Sequence, residues 1–96
     1  MNDRPTFDPP SLQRVMVGLV EQQLRDDDPP ETRQTFDRLR TPGYPEQTAV
    51  RMIAIVLLDE IEDMMREQRA FDREHFRVLL RQMEEANHLI LDKVST

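Results

Sequence analysis

The amino-acid sequence predicts an all-α protein of four helices, arranged like a bundle, with a long third helix. Proline and glycine divide the first half of the 96-residue chain and are absent after Pro45, so the second half is free to be helical. Within each segment apolar residues recur at the period of a helix that buries one face. We therefore expect one helical domain over residues 8–96, preceded by an N-terminal arm at 1–7.

The first two helices are predicted to begin at repeated Asp-Pro-Pro sequences. Aspartate caps helices well, and proline is tolerated at the first helical positions because N–H groups there have no partner within the helix. The first helix runs from Asp8 to the acidic triplet 26–28. The second begins at Asp28, where Glu31 has the spacing of a capping box, and ends near Arg40. The apolar stripe of the first helix comprises Leu12, Val15, Met16, Leu19, Val20 and Leu24.

The third helix is predicted over about residues 45–69 and is apolar around most of its circumference. One broad face centres on Ile53, but other apolar residues lie on other sides. A helix that is apolar nearly all round is buried on more than one side. Because a chain of 96 residues has few other helices to cover it, we expect a homodimer or larger assembly of the same chain. The predicted interface residues are Met52, Ile55, Leu58 and Met65.

The fourth helix is predicted to follow the cap residue Asp72 and to run to about Lys93. Phe71 and Phe76 flank its start with the spacing of a hydrophobic staple. His75 falls in the first turn, where the helix dipole disfavours a protonated ring. We therefore expect His75 to be structural or to face solvent.

Composition limits the classes of partner. Acidic residues outnumber basic ones by 19 to 13, for a net charge of −6, which disfavours nucleic-acid binding. There is no cysteine for a disulfide or thiolate metal site. No apolar run approaches the roughly 20 residues that span a bilayer, and the N-terminus has no apolar signal region. We expect a soluble, cytoplasmic protein that binds neither nucleic acid nor membrane.

Three carboxylates lie on one face of the third helix: Glu60, near the middle of its apolar side, and Asp63 and Glu67 beyond it. Such a set could bind a hard divalent cation or hold an acid of raised pKa. A histidine from elsewhere, His88 or His75, could add a nitrogen ligand. The alternatives are an ion pair between Glu60 and an arginine of another helix, or an apolar face that simply ends near Leu58. Examples of such arginines are Arg38, Arg77 and Arg81.

Catalytic signals are weak. Glu85 and His88 match the E-x-x-H spacing of di-metal helical bundles, but they point away from the apolar stripe, and a second pair would have to come from a symmetric dimer. Neither Ser11 nor Ser95 has a histidine and an aspartate placed for a triad. Two glycines are too few for a glycine-rich phosphate loop. We expect neither an enzyme nor a cofactor, with a divalent metal as the alternative.

Two segments resemble known groups of proteins. Residues 36–53, with Gly43-Tyr44 at the turn, resemble the first two helices and the intervening loop of ubiquitin-associated domains, which bind ubiquitin through that loop. Because the third helix here continues without a further loop, we interpret this as shared helix–turn–helix chemistry. A second pattern comprises Asp28-Pro29-Pro30-Glu31, Leu39, Gly43-Tyr44, Ala49, Ile53 and Glu60-Ile61. It resembles that of small, uncharacterised bacterial helical proteins, which implies a bacterial origin and brings no assigned activity.

The sequence leads to one principal functional hypothesis and two alternatives. The principal hypothesis is a self-associating protein-interaction or structural module, with itself as the partner and room for an unidentified protein. The first alternative is a metal-binding helical protein that uses the acidic face of the third helix. The second is a small regulatory or antitoxin-like protein that pairs with a basic partner.

Overall fold

The computed structural model describes the backbone of residues 9–95 and the side chains of residues 12–87. Within this part the chain forms α1 (Pro9–Asp26), α2 (Pro30–Arg40), α3 (Glu46–Glu67) and α4 (Arg73–Ser95), and no strand. The all-α, four-helix prediction is confirmed. The third helix is long, with 22 residues, and α4 matches it with 23. The predicted arm at 1–7 and the predicted cap Asp8 lie outside the described residues.

Three helices end in the same backbone pattern. A residue past the helix adopts a positive φ, and the next N–H returns to a carbonyl five residues earlier, which satisfies an otherwise unpaired helix carbonyl. The residues with positive φ are Asp27 (50°), Gly43 (112°) and Gln68 (53°). The returning bonds run from Asp28 to Gln23, from Tyr44 to Leu39 and from Arg69 to Met64, at 3.1, 3.4 and 3.1 Å. Each turn redirects the chain sharply within a few residues.

The start of α2 differs from the sequence prediction. Pro29, not Asp28, is the N-cap residue, and no side chain caps the helix. Since Pro29 and Pro30 carry no N–H, few donors remain for a capping side chain, and the Thr32 N–H donates to the Pro29 carbonyl at 3.1 Å. Glu31 does not complete a capping box. Its carboxylate instead accepts two hydrogen bonds of 2.9 Å from Arg73 at the start of α4.

The start of α4 agrees with the sequence prediction. The Asp72 carboxylate accepts the His75 backbone N–H at 3.0 Å, as an N-cap aspartate does. The rings of Phe71 and Phe76 lie 5.5 Å apart between centroids, which confirms the hydrophobic staple. Phe76 is fully buried and anchors the helix on the core.

The central position belongs to α3, which packs against all three other helices. This arrangement explains why α3 is apolar around most of its circumference. Ala54 is buried and Met52 and Leu58 are half-buried within a single chain, while Ile55 stays 58% exposed. The other helices therefore cover much of the surface from which we predicted an assembly. The buried apolar core consists of Met16, Val20, Phe36, Leu39, Ala49, Val50, Ile53, Ala54, Val56, Leu57, Phe76 and Leu80.

The packing of α1 departs from the sequence prediction. Val15 and Leu19, which we placed on the buried stripe of α1, are 57% and 38% exposed, whereas Met16 and Val20 are buried. Two ion pairs join α2 to α4. Arg38 donates to Glu84 at 2.7 and 2.9 Å, in addition to the Glu31–Arg73 pair.

Among the described residues, no helix has the length and apolarity needed to cross a membrane.

Candidate functional site

Glu60 is the most unusual polar residue of the fold, because its side chain is fully buried in α3 and yet carries a negative charge. Arg69 donates to both carboxylate oxygens, at 2.7 and 3.1 Å. The Asp72 backbone N–H donates to Oε2 at 3.0 Å, and His75 Nδ1 lies 2.6 Å from Oε1. The hydrogen bonds from Arg69, Asp72 and His75 outweigh burial and lower the Glu60 pKa to about 2. The carboxylate is therefore ionised and fully paired.

These contacts place Glu60 at the centre of the connection between α3 and α4. We call Glu60, Asp63, Arg69, Asp72 and His75 the α3–α4 corner. In a capping box, a glutamate three residues into the helix accepts the N–H of the cap residue. In α4 that position, residue 75, is a histidine. The Asp72 N–H donates to Glu60 of α3 instead. The start of α4 is thereby fixed to α3.

His75 lies between two carboxylates of α3. Its Nδ1 donates to Glu60, its Nε2 lies 4.0 Å from Asp63 Oδ2, and its side chain is 37% exposed. The hydrogen bond to Glu60, with a further contribution from Asp63, raises the pKa of His75 despite burial and the nearby Arg69. The sequence prediction that the helix dipole would disfavour the protonated ring is therefore wrong in direction. The two carboxylates have the larger effect.

The arginine that pairs with Glu60 was missed. None of Arg38, Arg77 and Arg81 is the partner. Arg69 was expected within the third helix, but α3 ends at Glu67, and the left-handed Gln68 turns the chain so that Arg69 folds back onto Glu60. Glutamine rarely signals such a turn, since glycine is the usual residue there. The prediction that Glu60 forms an ion pair with an arginine is correct. The partner, Arg69, lies in the segment that follows the same helix and not on another helix.

The predicted metal ligands are only partly brought together. Ligand atoms of Glu60, Asp63 and His75 lie within 4.8 Å of one another. Glu67 is exposed and accepts a hydrogen bond from Arg69 at 2.5 Å instead, and Asp63 pairs with Arg66. The His88 side chain lies outside the described residues, and Glu85, its predicted E-x-x-H partner, is exposed.

The Arg69 guanidinium argues against a metal ion at this cluster. It occupies both oxygens of Glu60, so a divalent cation would have to displace two charge-assisted hydrogen bonds and lie beside a fixed positive charge. Carboxylates arranged to bind a cation normally have free lone pairs that face one point. We interpret the α3–α4 corner as an ion-pair network.

A second feature is an open groove of about 1200 Å³ between α1 and α3, with Phe36 of α2 at one side. We call it the α1–α3 groove. Its buried floor is Met16, Val50 and Ala54, its half-buried walls are Val17, Leu24 and Leu58, and Ile55 stands exposed on its edge. Charges of both signs surround it: Arg14, Arg25, Arg33, Arg51, Glu21 and Glu46.

The predicted interface residues divide between this groove and other surfaces. Ile55 and Leu58 line the groove. Met52 lies roughly 60° from Ile55 and roughly 120° from Leu58 around α3, and it is half-buried among the other helices. Met65 is 75% exposed, about two turns beyond Leu58 along the helix and outside the groove lining. The apolar surface available for association is thus narrower than the sequence predicted.

No family model, curated protein or solved structure matches the chain. The two resemblances seen in the sequence therefore stay predictions. The function has to be inferred from the two features just described.

Proposed function

We propose that this protein is a self-associating interaction module and that two copies meet through the α1–α3 groove. The observation that supports the proposal is Ile55, which is 58% exposed at the edge of an apolar groove although α3 packs against all three other helices. Burying an isoleucine side chain contributes about 1.5–3 kcal/mol. An exposed apolar edge bordered by charged residues is typical of a protein-interaction surface.

A second copy of the chain is the proposed occupant because the groove carries the features that a two-fold interface needs. A two-fold interface presents the same patch on both subunits, so it needs a ridge and a hollow side by side and charges of both signs. Ile55 is the ridge, and the half-buried Val17 and Leu58 border the hollow. The rim carries arginines and glutamates together. Rotation about a two-fold axis can therefore bring the arginines of one copy towards the glutamates of the other.

Charge also argues against a simple basic or acidic partner. The described ion pairs place Arg33 beside Asp27 and Asp37, so that one of the four groove arginines already has carboxylate neighbours. The remaining rim has nearly balanced charge, with Arg14, Arg25 and Arg51 against Glu21 and Glu46. A balanced rim favours self-pairing over a strongly charged partner.

Sedimentation velocity of the full chain from about 1 µM to about 1 mM tests the proposal, since this range covers weak to moderate affinities. We expect a concentration-dependent dimer that becomes monomeric in Ile55→Glu, with unchanged helix content. Val78→Glu is the matched control, because Val78 is an exposed apolar residue of α4, 38% exposed, outside the groove. A monomer throughout, or a dimer that survives Ile55→Glu, would refute the proposal.

A further inference from the structure

The α3–α4 corner contains a residue that changes charge near neutral pH at a point where two helices are joined. His75 is the third residue of α4, and both of its ring nitrogens face carboxylates of α3. Of the side chains in this corner, only the imidazole has an ordinary pKa between pH 5 and 8. Glu60 and Arg69 keep their charges across that range because each is stabilised by the other.

We infer that the His75 imidazolium acts as a pH-dependent latch that holds the first turn of α4 against α3. The inference rests on geometry: a 2.6 Å hydrogen bond to the buried Glu60 and a second carboxylate, Asp63, 4.0 Å from the other ring nitrogen. When the ring loses its proton, the hydrogen bond to Glu60 keeps only the negative charge of its acceptor and the ionic attraction to both carboxylates is lost. The latch is independent of self-association through the α1–α3 groove.

The charged groups around His75 act in both directions, and those that favour the protonated ring have the larger effect. From α3, Glu60 and Asp63 attract the protonated ring, while the connecting segment places the Arg69 guanidinium 3.4 Å from Nδ1, where it opposes protonation. From α4 itself, the Asp72 carboxylate accepts the His75 backbone N–H and holds the ring in place. The net effect on the pKa of His75 is an increase. The latch is therefore closed below the raised pKa of His75 and weakens as the pH rises through it.

Deprotonation loosens a defined set of backbone hydrogen bonds. The amides of His75 and Phe76 donate to the side chain and the carbonyl of Asp72, at 3.0 and 2.9 Å. Both bonds depend on the first turn of α4 staying on α3. The Ile53 amide, deep in α3, does not depend on the corner and serves as an internal reference.

Amide hydrogen exchange of the full chain between about pH 5.5 and about pH 8.5 tests the latch. Protection at His75 and Phe76, expressed relative to Ile53, is expected to fall roughly fivefold as the ring titrates, because the attraction of the ring to both carboxylates weakens. His75→Gln should show the low protection at every pH. His75→Lys, which keeps a positive charge, should show the high protection at every pH.

Two further variants make the outcome decisive. His88→Gln removes the only other histidine and should leave the pH dependence intact. Asp63→Asn removes the partly exposed carboxylate, so the midpoint of the transition should move to lower pH while the fold is retained. Protection that is constant with pH in the unaltered chain, or that changes equally in His75→Gln, would overturn the inference.

Discussion

Replacing Glu60 by glutamine is the sharpest test of how this fold is held together. The amide has nearly the same shape as the carboxylate but cannot ionise, and its NH₂ group competes with donors from Arg69 and Asp72. The Glu60 pKa falls from an ordinary 4.5 to about 2 on folding. At about 1.4 kcal/mol for each tenfold change in affinity for the proton, this corresponds to about 3 kcal/mol of stability near pH 7.

The pH dependence of that loss follows from the sign of the pKa change. Because the folded-state pKa is lowered, the stabilisation is fully present above about pH 4.5 and disappears as the pH falls towards about 2. The deficit of Glu60→Gln should therefore shrink from about 3 kcal/mol near pH 7 to about 1.5 kcal/mol near pH 3. For a domain of this size, the neutral-pH value lowers Tm by roughly 12–24 °C.

Urea unfolding followed by circular dichroism measures both values. Glu62→Gln is the matched control, since Glu62 is an exposed carboxylate on the same helix and its loss should change the free energy of unfolding by no more than about 0.5 kcal/mol. A Glu60→Gln deficit as small as that of the control, or one that is constant with pH, would show that the Arg69 pair does not stabilise the fold.

Three further sets of substitutions examine the start and the contacts of α4 by the same unfolding measurement. Asp72→Ala removes the N-cap and should cost about 1 kcal/mol, while Asp72→Asn, which keeps an acceptor, should cost little; equal losses would refute the capping role. Phe76→Ala empties a fully buried site and should cost about 3–5 kcal/mol, against a small effect for the exposed Val78→Ala. Glu31→Arg and Arg73→Glu should each lower the free energy of unfolding slightly, and the double exchange should recover it; additive losses would show that this pair is not coupled.

The features of the fold that local patterns encode were predictable from sequence. Phe71, Asp72 and Phe76 mark the start of α4 because a staple and a cap are set by residues a few positions apart. The end of α2 was predictable because Gly43 favours a positive φ. The end of α1 at Asp26 also falls within the predicted acidic triplet. By contrast, the end of α3 uses Gln68 in the left-handed region, which nothing in its side chain indicates.

The candidate site was harder to predict because it depends on one such turn. Glu60 was recognisable as a carboxylate within an apolar face, and an arginine partner was considered. Which arginine reaches it depends on the reversal at Gln68, without which Arg69 would continue along the helix and point elsewhere. The effect of the α3 carboxylates on the charge of His75 was also not predicted. It depends on the contacts of His75 with Glu60 and Asp63, which the folded connection between α3 and α4 brings about.

Helix α3 carries both proposed functions on opposite sides, and this separation makes a prediction of its own. Leu58 of the groove and Glu60 of the corner are two residues apart, about 200° around the helix, so they face away from each other. Perturbations that share no contacts add independently. Ile55→Glu should therefore abolish association while leaving the pH midpoint of His75 protection unchanged, and Asp63→Asn should shift that midpoint without altering the dimer dissociation constant. If either variant changed both the dimer dissociation constant and the pH midpoint of His75 protection, the groove and the corner would be energetically coupled through α3.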